Sequence, residues 1–439
     1  MAQNVIFLSD AELAGDLKNL YSDMRTELFP ISTPLFASLK KTGPGGLGNA
    51  SWGGNNLYFD IVTAPPVNWS FSTTGQLPFS TQANEVQGNV GIARFYVTRA
   101  FDNLAINGTQ SKQAAFISLR DKITREFGSA MEMGMQEACH GSGTGVRAII
   151  SSSADTTHFV ATSPYGVIGA GQGGLWVYPG MYISVYDTTL VTLRSGSPAK
   201  ISSVTNSGDN VTATLATAIT GMVATDVIIQ ANQSGDAKNA YSNGLINLTN
   251  RGAAYNSLHG QSAGTYARWD GLRFVAGTDT DTLFPQEMDI WNLAALHGAR
   301  SGKRALANPK DFLIITTYGI QQQLIASVLG QRTLPTSGTS KVSLPGGYEA
   351  DAILGIPMIA DEYCPAGTLY LINLASLSWV DAADWSPVQY ENSGAVRFIT
   401  GTDGFETSYK QYFNLMTRQR NALASITGYT DTRRYTPVV

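Results

Sequence analysis

Apolar residues recur at helical spacing in four stretches of this chain and alternate with polar ones in many shorter runs. Over residues 9–29, Leu13, Leu17, Leu20, Tyr21 and Met24 fall on one face, the pattern of an amphipathic helix. Ser9 and Glu12 supply a capping box at its start, and Pro30 and Pro34 end it. A longer helix is predicted over 109–139. There Phe116, Leu119, Ile123, Phe127 and Ala130 form a stripe, while Lys112, Arg120, Lys122, Arg125 and Glu126 lie largely off it. At a 1.5 Å rise per residue such a helix spans on the order of 45 Å, and the glycine-rich "HGSGTG" at 140–145 stops it. Two more helices are predicted at 285–302, with Met288, Trp291 and Ala295 on one face, and at 318–330, with Ile320, Leu324 and Val328 aligned.

Strand patterns fill much of the rest. "LYFDIVT" (57–63) and "NVGIARFYVTRAF" (89–101) bracket the stretch "NWSFSTTGQLPFSTQANEVQ" (68–87). From Ile61 to Ala93 the only formally charged side chain is Glu85, yet Ser, Thr, Gln and Asn interrupt the aromatics. This predicts a long uncharged β-hairpin whose irregular tip contains Pro65, Pro66 and Pro78, preceded by a loose glycine-rich connector at 41–56. Four short strands at 181–186, 199–205, 211–215 and 226–231, separated by turn chemistry such as "NSGDN" (206–210), predict a small barrel or sandwich. Beyond 245 the pattern is mixed α/β, with a buried strand at 311–317, a strand–turn–strand at 352–374 and two strand-like runs within 396–429.

Composition sharpens this. The 439 residues are 43% apolar but only 14% charged, against roughly 25% charged in an ordinary soluble domain. A chain short of charged side chains covers its surface with another protein. The formal net charge of −4 gives no basic footprint for sequence-specific nucleic-acid binding. Cys139 and Cys364, the only cysteines, build neither a disulfide framework nor a metal-ligand spacing. The N-terminal residues lack the pattern of a signal peptide, and no window predicts a membrane span.

Motifs that could carry chemistry have weak contexts. "GAGQGG" (169–174) matches a dinucleotide fingerprint but is followed by β-like "LWVYPGMY" rather than a helix. "GQSAG" (260–264) places Ser262 in a nucleophile-elbow pattern without a preceding β-branched run. Asp279 and Asp281 in "GTDTDT" fit helix N-capping better than cation binding. "RQR" (418–420) and "TRR" (432–434) offer nonspecific phosphate contacts or interface pairing. No catalytic, cofactor-binding or metal site assembles from these residues.

The hairpin then needs explaining. Ordering each residue of its tip costs about 1–2 kcal/mol, and an isolated two-stranded hairpin is marginal. An uncharged, aromatic-bearing arm of this kind suits the centre of a subunit interface. Trp69 is the expected anchor, with Phe71, Leu77, Pro78 and Phe79 as contacts on a neighbouring copy.

The order of elements resembles the major capsid proteins of tailed bacteriophages, the Hong Kong 97-type fold family. The resemblance is carried by an N-terminal arm, a hairpin with "TTGQLPFS" at its tip, a long helix ending in "HGSGTG", and "ILGIPMIADEYCPAGTLYLINLASLSWV" (353–380) with its Gly-x-Pro strand and "GTLY" strand. "YKQYFNLMTRQRNALASITGY" (409–429) resembles the closing strand. It implies an α+β fold divided into an N-arm (1–55), an E-loop hairpin (56–101), a peripheral or P-domain with the spine helix (102–174), an inserted β-domain (175–232), an axial or A-domain (233–375) and a C-terminal return to the P-domain (376–439).

It further implies a non-enzymatic, cofactor-free protein that self-assembles, through A-domain contacts within pentamers and hexamers, into an icosahedral shell around double-stranded DNA. Assembly would take place in the host cytoplasm and the protein would end in the virion. The N-arm residues Leu13, Leu17, Leu20, Tyr21 and Met24 would touch neighbouring subunits. Some members cross-link covalently through an E-loop lysine. No lysine lies between Leu57 and Ala93, so non-covalent contacts are expected here. The short segment before the hairpin implies a separate scaffolding protein, with a portal and a decoration protein as further partners. Two other classes remain open on sequence alone, a β-rich tail or adhesion protein and a serine hydrolase using Ser262.

Overall fold

A computed structural model describes residues 35, 38–39, 41–42, 51–53, 55–64, 71, 84–102, 127–153, 155–162, 177–207, 210–232, 235–236, 238, 240–249, 257–266, 268–331, 342–343, 349–389, 396–399, 401 and 403–431. The helix predicted at 9–29 and the first part of that at 109–139 lie outside them.

Strands β1 (Asn56–Ala64) and β2 (Asn84–Gly91) form the predicted hairpin, Leu57 opposite Val90 and Ile61 opposite Val86. After Ile92 the chain re-enters a strand, β3 (Ala93–Asp102), which joins a different sheet. The connector expected to be loose contributes two short strands of its own. Ser51–Gly53 pairs with β1, and Lys41–Thr42 pairs in parallel with a later strand. The long helix, α1, is described over 127–140 and is followed by a run of antiparallel strands.

Those strands close a barrel. In chain order they are β4 (Val146–Ser153), β5 (His158–Thr162), β6 (Tyr182–Tyr186), β7 (Ala199–Ser207), β8 (Asn210–Leu215) and β9 (Val227–Asn232). Strand β9 bonds to β4 on one side and β6 on the other, so the sheet returns on itself. Alternate residues point inward and fill it. Ala148, Ile150, Phe159, Ile183, Val185 and Ile228 are buried, with small and large side chains mixed to fit the taper. Two staves, β4 and β5, precede the boundary expected at 175, so the inserted barrel begins at Val146. Its missed hairpin turns at Asp155, whose Oδ1 accepts the Thr157 and His158 amides at 2.6 and 2.7 Å.

After helix α2 (Leu245–Thr249), strand β10 (Leu272–Val275) leads to helix α3 (Glu287–Ser301), strand β11 (Phe312–Thr316), helix α4 (Tyr318–Gln331), and strands β12 (Ile356–Ala360) and β13 (Leu369–Asn373). The remaining strands are β14 (Leu377–Pro387), β15 (Val396–Phe398), β16 (Gly404–Thr417) and β17 (Leu423–Thr427). The run at 396–429 thus holds three strands, not two.

Two sheets organise these elements. A seven-stranded sheet runs β10–β17–β13–β11–β12 and ends in the short strands Glu349–Ile353 and Val342–Ser343. Strand β11 is buried on both faces, which is why "FLIIT" reads as a continuous apolar run. Phe312 and Ile314 face helices α3 and α4, through Ile290, Leu293, Ile320 and Leu324. Leu313 and Ile315 face the other way, onto Met135, Ala138 and Cys139 of α1. The second sheet centres on β16, with β3 on one edge and β14 and β15 on the other. Trp379 stacks on Phe413 there, 4.4 Å between centroids, in the same core as α1. The C-terminal segment expected to close one domain therefore serves two, because β17 enters the seven-stranded sheet between β10 and β13.

Candidate assembly surfaces

The hairpin has a docked base. Leu57, Phe59, Ile61 and Val90 are buried against Trp269, Val380 and Met416. The Phe59 ring meets His259 edge-on at 5.8 Å. The Asn89 amide donates to the His259 carbonyl at 2.9 Å, and Gln261 Nε2 donates to the Gln87 carbonyl at 2.6 Å. Residues 56–64 and 84–91 of the hairpin, marginal as an isolated pair of strands, are therefore held by their own subunit. Alternation explains why. The inward residues are apolar, whereas Asp60, Val62 and Glu85 point outward. The docking partners lie roughly 170–360 residues away in sequence, beyond the reach of any local pattern.

Of the predicted contact residues in the arm, Phe71 is described, and it is 98% exposed. Trp69, Leu77, Pro78 and Phe79 lie outside the described residues, as do the N-arm residues Leu13, Leu17, Leu20, Tyr21 and Met24.

Between α1, the barrel and the seven-stranded sheet lies a buried polar junction. Glu137 on α1 pairs with Arg147 on β4 at 2.6 Å. Arg147 also donates to Gln230 Oε1 of β9 at 2.5 Å and to the Tyr241 hydroxyl at 3.2 Å. Burial pushes the Glu137 carboxyl up to about 7 against the pull of Arg147. Burial works hardest against the charge on Arg147, but Glu137, Tyr241 and Tyr178 together outweigh it and hold the guanidinium above its ordinary value. One turn away, Asp361 accepts from Gln136 Nε2 and lies 3.0 Å from His140 Nε2, while its other oxygen accepts the Tyr363 amide at 2.9 Å. Burial, reinforced by Asp361, raises the Cys139 thiol well above its ordinary value, so it is a packing residue rather than a nucleophile. These charge-assisted contacts fix three units against one another. Sequence reading missed them because Glu137 and Arg147 look like surface residues until the fold buries both.

The motif at Ser262 is not an elbow. Ser257–Leu258 and Gln261–Ser262 form a two-stranded hairpin turning at His259 and Gly260, and Ser262 Oγ accepts the Gly264 amide at 3.2 Å. His259 is buried, and its Nε2 accepts the Thr417 amide at 3.3 Å instead of serving Ser262. Burial, then the Arg420 charge, lowers its pKa to about 3. Asp279 caps no helix: it accepts the Val275 amide at 2.8 Å within a turn, while α3 is capped by Gln286 and Asp289. Arg420 is buried, donating to the Leu248 and Asn247 carbonyls at 3.3 Å, and is not open to phosphate. "GAGQGG" and "TRR" lie outside the described residues. Among the described residues, no group of three or more His, Cys, Asp or Glu is placed to hold a metal ion, and no helix is long and apolar enough to cross a membrane.

No protein-family model matches the sequence, and no curated protein matches it either. Solved structures do match. A subunit of the cyanophage A-1(L) capsid superposes with a TM-score of 0.52 at 14% identity, over 94% of this chain and 97% of that one. This chain has the Hong Kong 97-type fold. The capsid of cyanophage P-SCSP1u gives a TM-score of 0.45 at 7% identity, covering 93% and 91%. The SrpI encapsulin of Synechococcus elongatus gives 0.44 at 11%, covering 99% and 100%. In this Hong Kong 97-type chain the barrel is a self-contained module outside both sheets, tied to α1 through the Arg147–Glu137 pair.

Proposed function

We propose that this chain is the major shell subunit of a tailed bacteriophage, self-assembling into a closed icosahedral container for double-stranded DNA. The observation that carries the reading is an arm anchored at its base by Phe59 and Trp269 while Phe71, farther out, is 98% exposed. A protein that spends backbone order on such an arm gains from it only where another subunit covers it. The Hong Kong 97-type fold, shared with a cyanophage capsid subunit over 94% of the chain, supports the same reading.

On this reading β1 and β2 are the base of the E-loop. The β16-centred sheet with α1 is the P-domain, and the seven-stranded sheet with α3 and α4 is the A-domain. Trp69, Leu77, Pro78 and Phe79 lie over a neighbour, and the N-arm reaches another through its Leu13–Met24 face. Association is non-covalent and proceeds through pentamers and hexamers. A scaffolding protein, a portal and a decoration protein are its partners in the host cytoplasm. The packaged DNA is met without sequence readout, in keeping with a net charge of −4.

Electron microscopy of the purified chain tests this. Uniform closed particles are the expected result, and a protein that stays monomeric at high concentration would overturn it.

A further inference from the structure

Helix α3 has two apolar faces, and the chain covers one. Ile290, Leu293, Ala294 and His297 turn inward onto Phe312 and the sheet. The other face carries Met288, Trp291, Asn292, Ala295, Leu296 and Ala299, all exposed. Met288 is 58% exposed and Trp291 48%, and Leu283 and Phe284 just ahead of the helix are 50% and 51% exposed. A helix that is apolar all round belongs in an interior. Side chains of this size, half uncovered, leave on the order of 500 Å² of apolar surface, the upper end of the largest patch on a typical monomer.

Charge is arranged at the two ends of this stripe. Exposed Asp279 and Asp281, with half-buried Glu287, flank its start; exposed Arg300, Lys303 and Arg304 flank its end. The helix between them spans roughly 22 Å. The surface therefore carries its own complement: the acidic end of one copy fits the basic end of another, while two like ends repel. Trp291, with Met288 three residues before it on the same face, has the make-up of an interface anchor.

We propose that the outward face of α3 is a contact surface for a second copy of this chain, anchored by Trp291 and oriented by the acid-to-base polarity of the helix. The proposal rests on the shell-forming reading and deepens it, naming the helix face and the residues through which its A-domain contact with a neighbour is made.

The test uses the full chain in sedimentation velocity. Met288→Glu with Trp291→Glu should weaken self-association at least tenfold while leaving the far-ultraviolet circular dichroism and the melting curve of the dissociated protein unchanged. Asp281→Lys with Glu287→Lys should do the same, and adding Lys303→Glu with Arg304→Glu should restore assembly.

A cysteine at Ala295 gives a readout free of folding effects, because Cys139 and Cys364 are buried. Maleimide should label it in the dissociated chain and not in the assembly, while a cysteine at Val191, 75% exposed on the barrel, should label in both. Shells that form normally with the doubly acidic helix, or equal labelling at position 295 in both states, would overturn the contact. Small oligomers of the wild type that disperse on substitution, with no closed particles, would keep this contact and discard the container. A wild type that never associates would remove both.

Discussion

The ring of Phe95 lies against the backbone of α1 at Gly134, so closely that a β-carbon built there would stand 2.6 Å from two ring carbons. Phe95 is on β3 and packs into the core that α1 shares with both sheets. The glycine, unfavourable for a helix by about 1 kcal/mol, is thus the residue that lets the long helix seat on the β16-centred sheet. Gly134→Ala should lower stability despite the gain in propensity, by about 1–3 kcal/mol as overpacking. Phe95→Leu in the same chain should recover part of the loss. Thermal melts of the three proteins check this.

Arg147 holds Glu137 across the joint between helix and barrel. Removing one partner of a buried pair typically costs about 3–5 kcal/mol, because the other charge is stranded. Arg147→Met should show a loss of that order in urea unfolding. Glu137→Gln leaves the buried Arg147 guanidinium charged with only neutral partners and should lose a comparable amount.

His259 binds hairpin base to body only while neutral, since its Nε2 accepts the Thr417 amide. Burial and Arg420 depress its folded pKa to about 3, below the ordinary 6.5. Between those values the unfolded chain binds a proton that the folded one refuses. Stability therefore falls as pH drops below about 6.5 towards 3, by up to ~1.4 kcal/mol per pH unit from this group. His259→Asn tolerates the local positive φ of 54° and should remove that slope. Urea midpoints from pH 7 to pH 4 for both proteins measure it.

At the hairpin tip, Leu77→Asp with Phe79→Asp should leave a folded, soluble chain and abolish closed particles in electron micrographs. Normal particles from this double variant would release the tip from its role on the neighbour.

Local pattern made the fold legible where neighbours in sequence are neighbours in space. The hairpin alternates apolar and polar residues, "FLIIT" is uniformly apolar, and α4 buries Ile320 and Leu324 as their spacing predicts. It failed where a long-range partner decides. Met288, Trp291 and Ala295 are indeed one apolar face, but Ile290 and Leu293 make a second, and periodicity cannot tell which the sheet will cover. Strand β17 reads as a continuation of β16, yet Arg420 turns the chain by binding the carbonyls of Asn247 and Leu248. The hairpin β4–β5 carried a usable signal, "SSADTT" between two β-branched runs, which its Ser-rich flanks obscured.

The barrel's first and last staves are hydrogen-bonded neighbours, Val146 opposite Ile229. Its chain therefore enters and leaves through the same doorway, and every stave between is consecutive in sequence. Such a module can be lost, enlarged or exchanged for an unrelated domain with adjoining ends while β16 and β17 go on stitching the remainder together. An engineer wishing to hang a foreign cargo on this protein would graft it there.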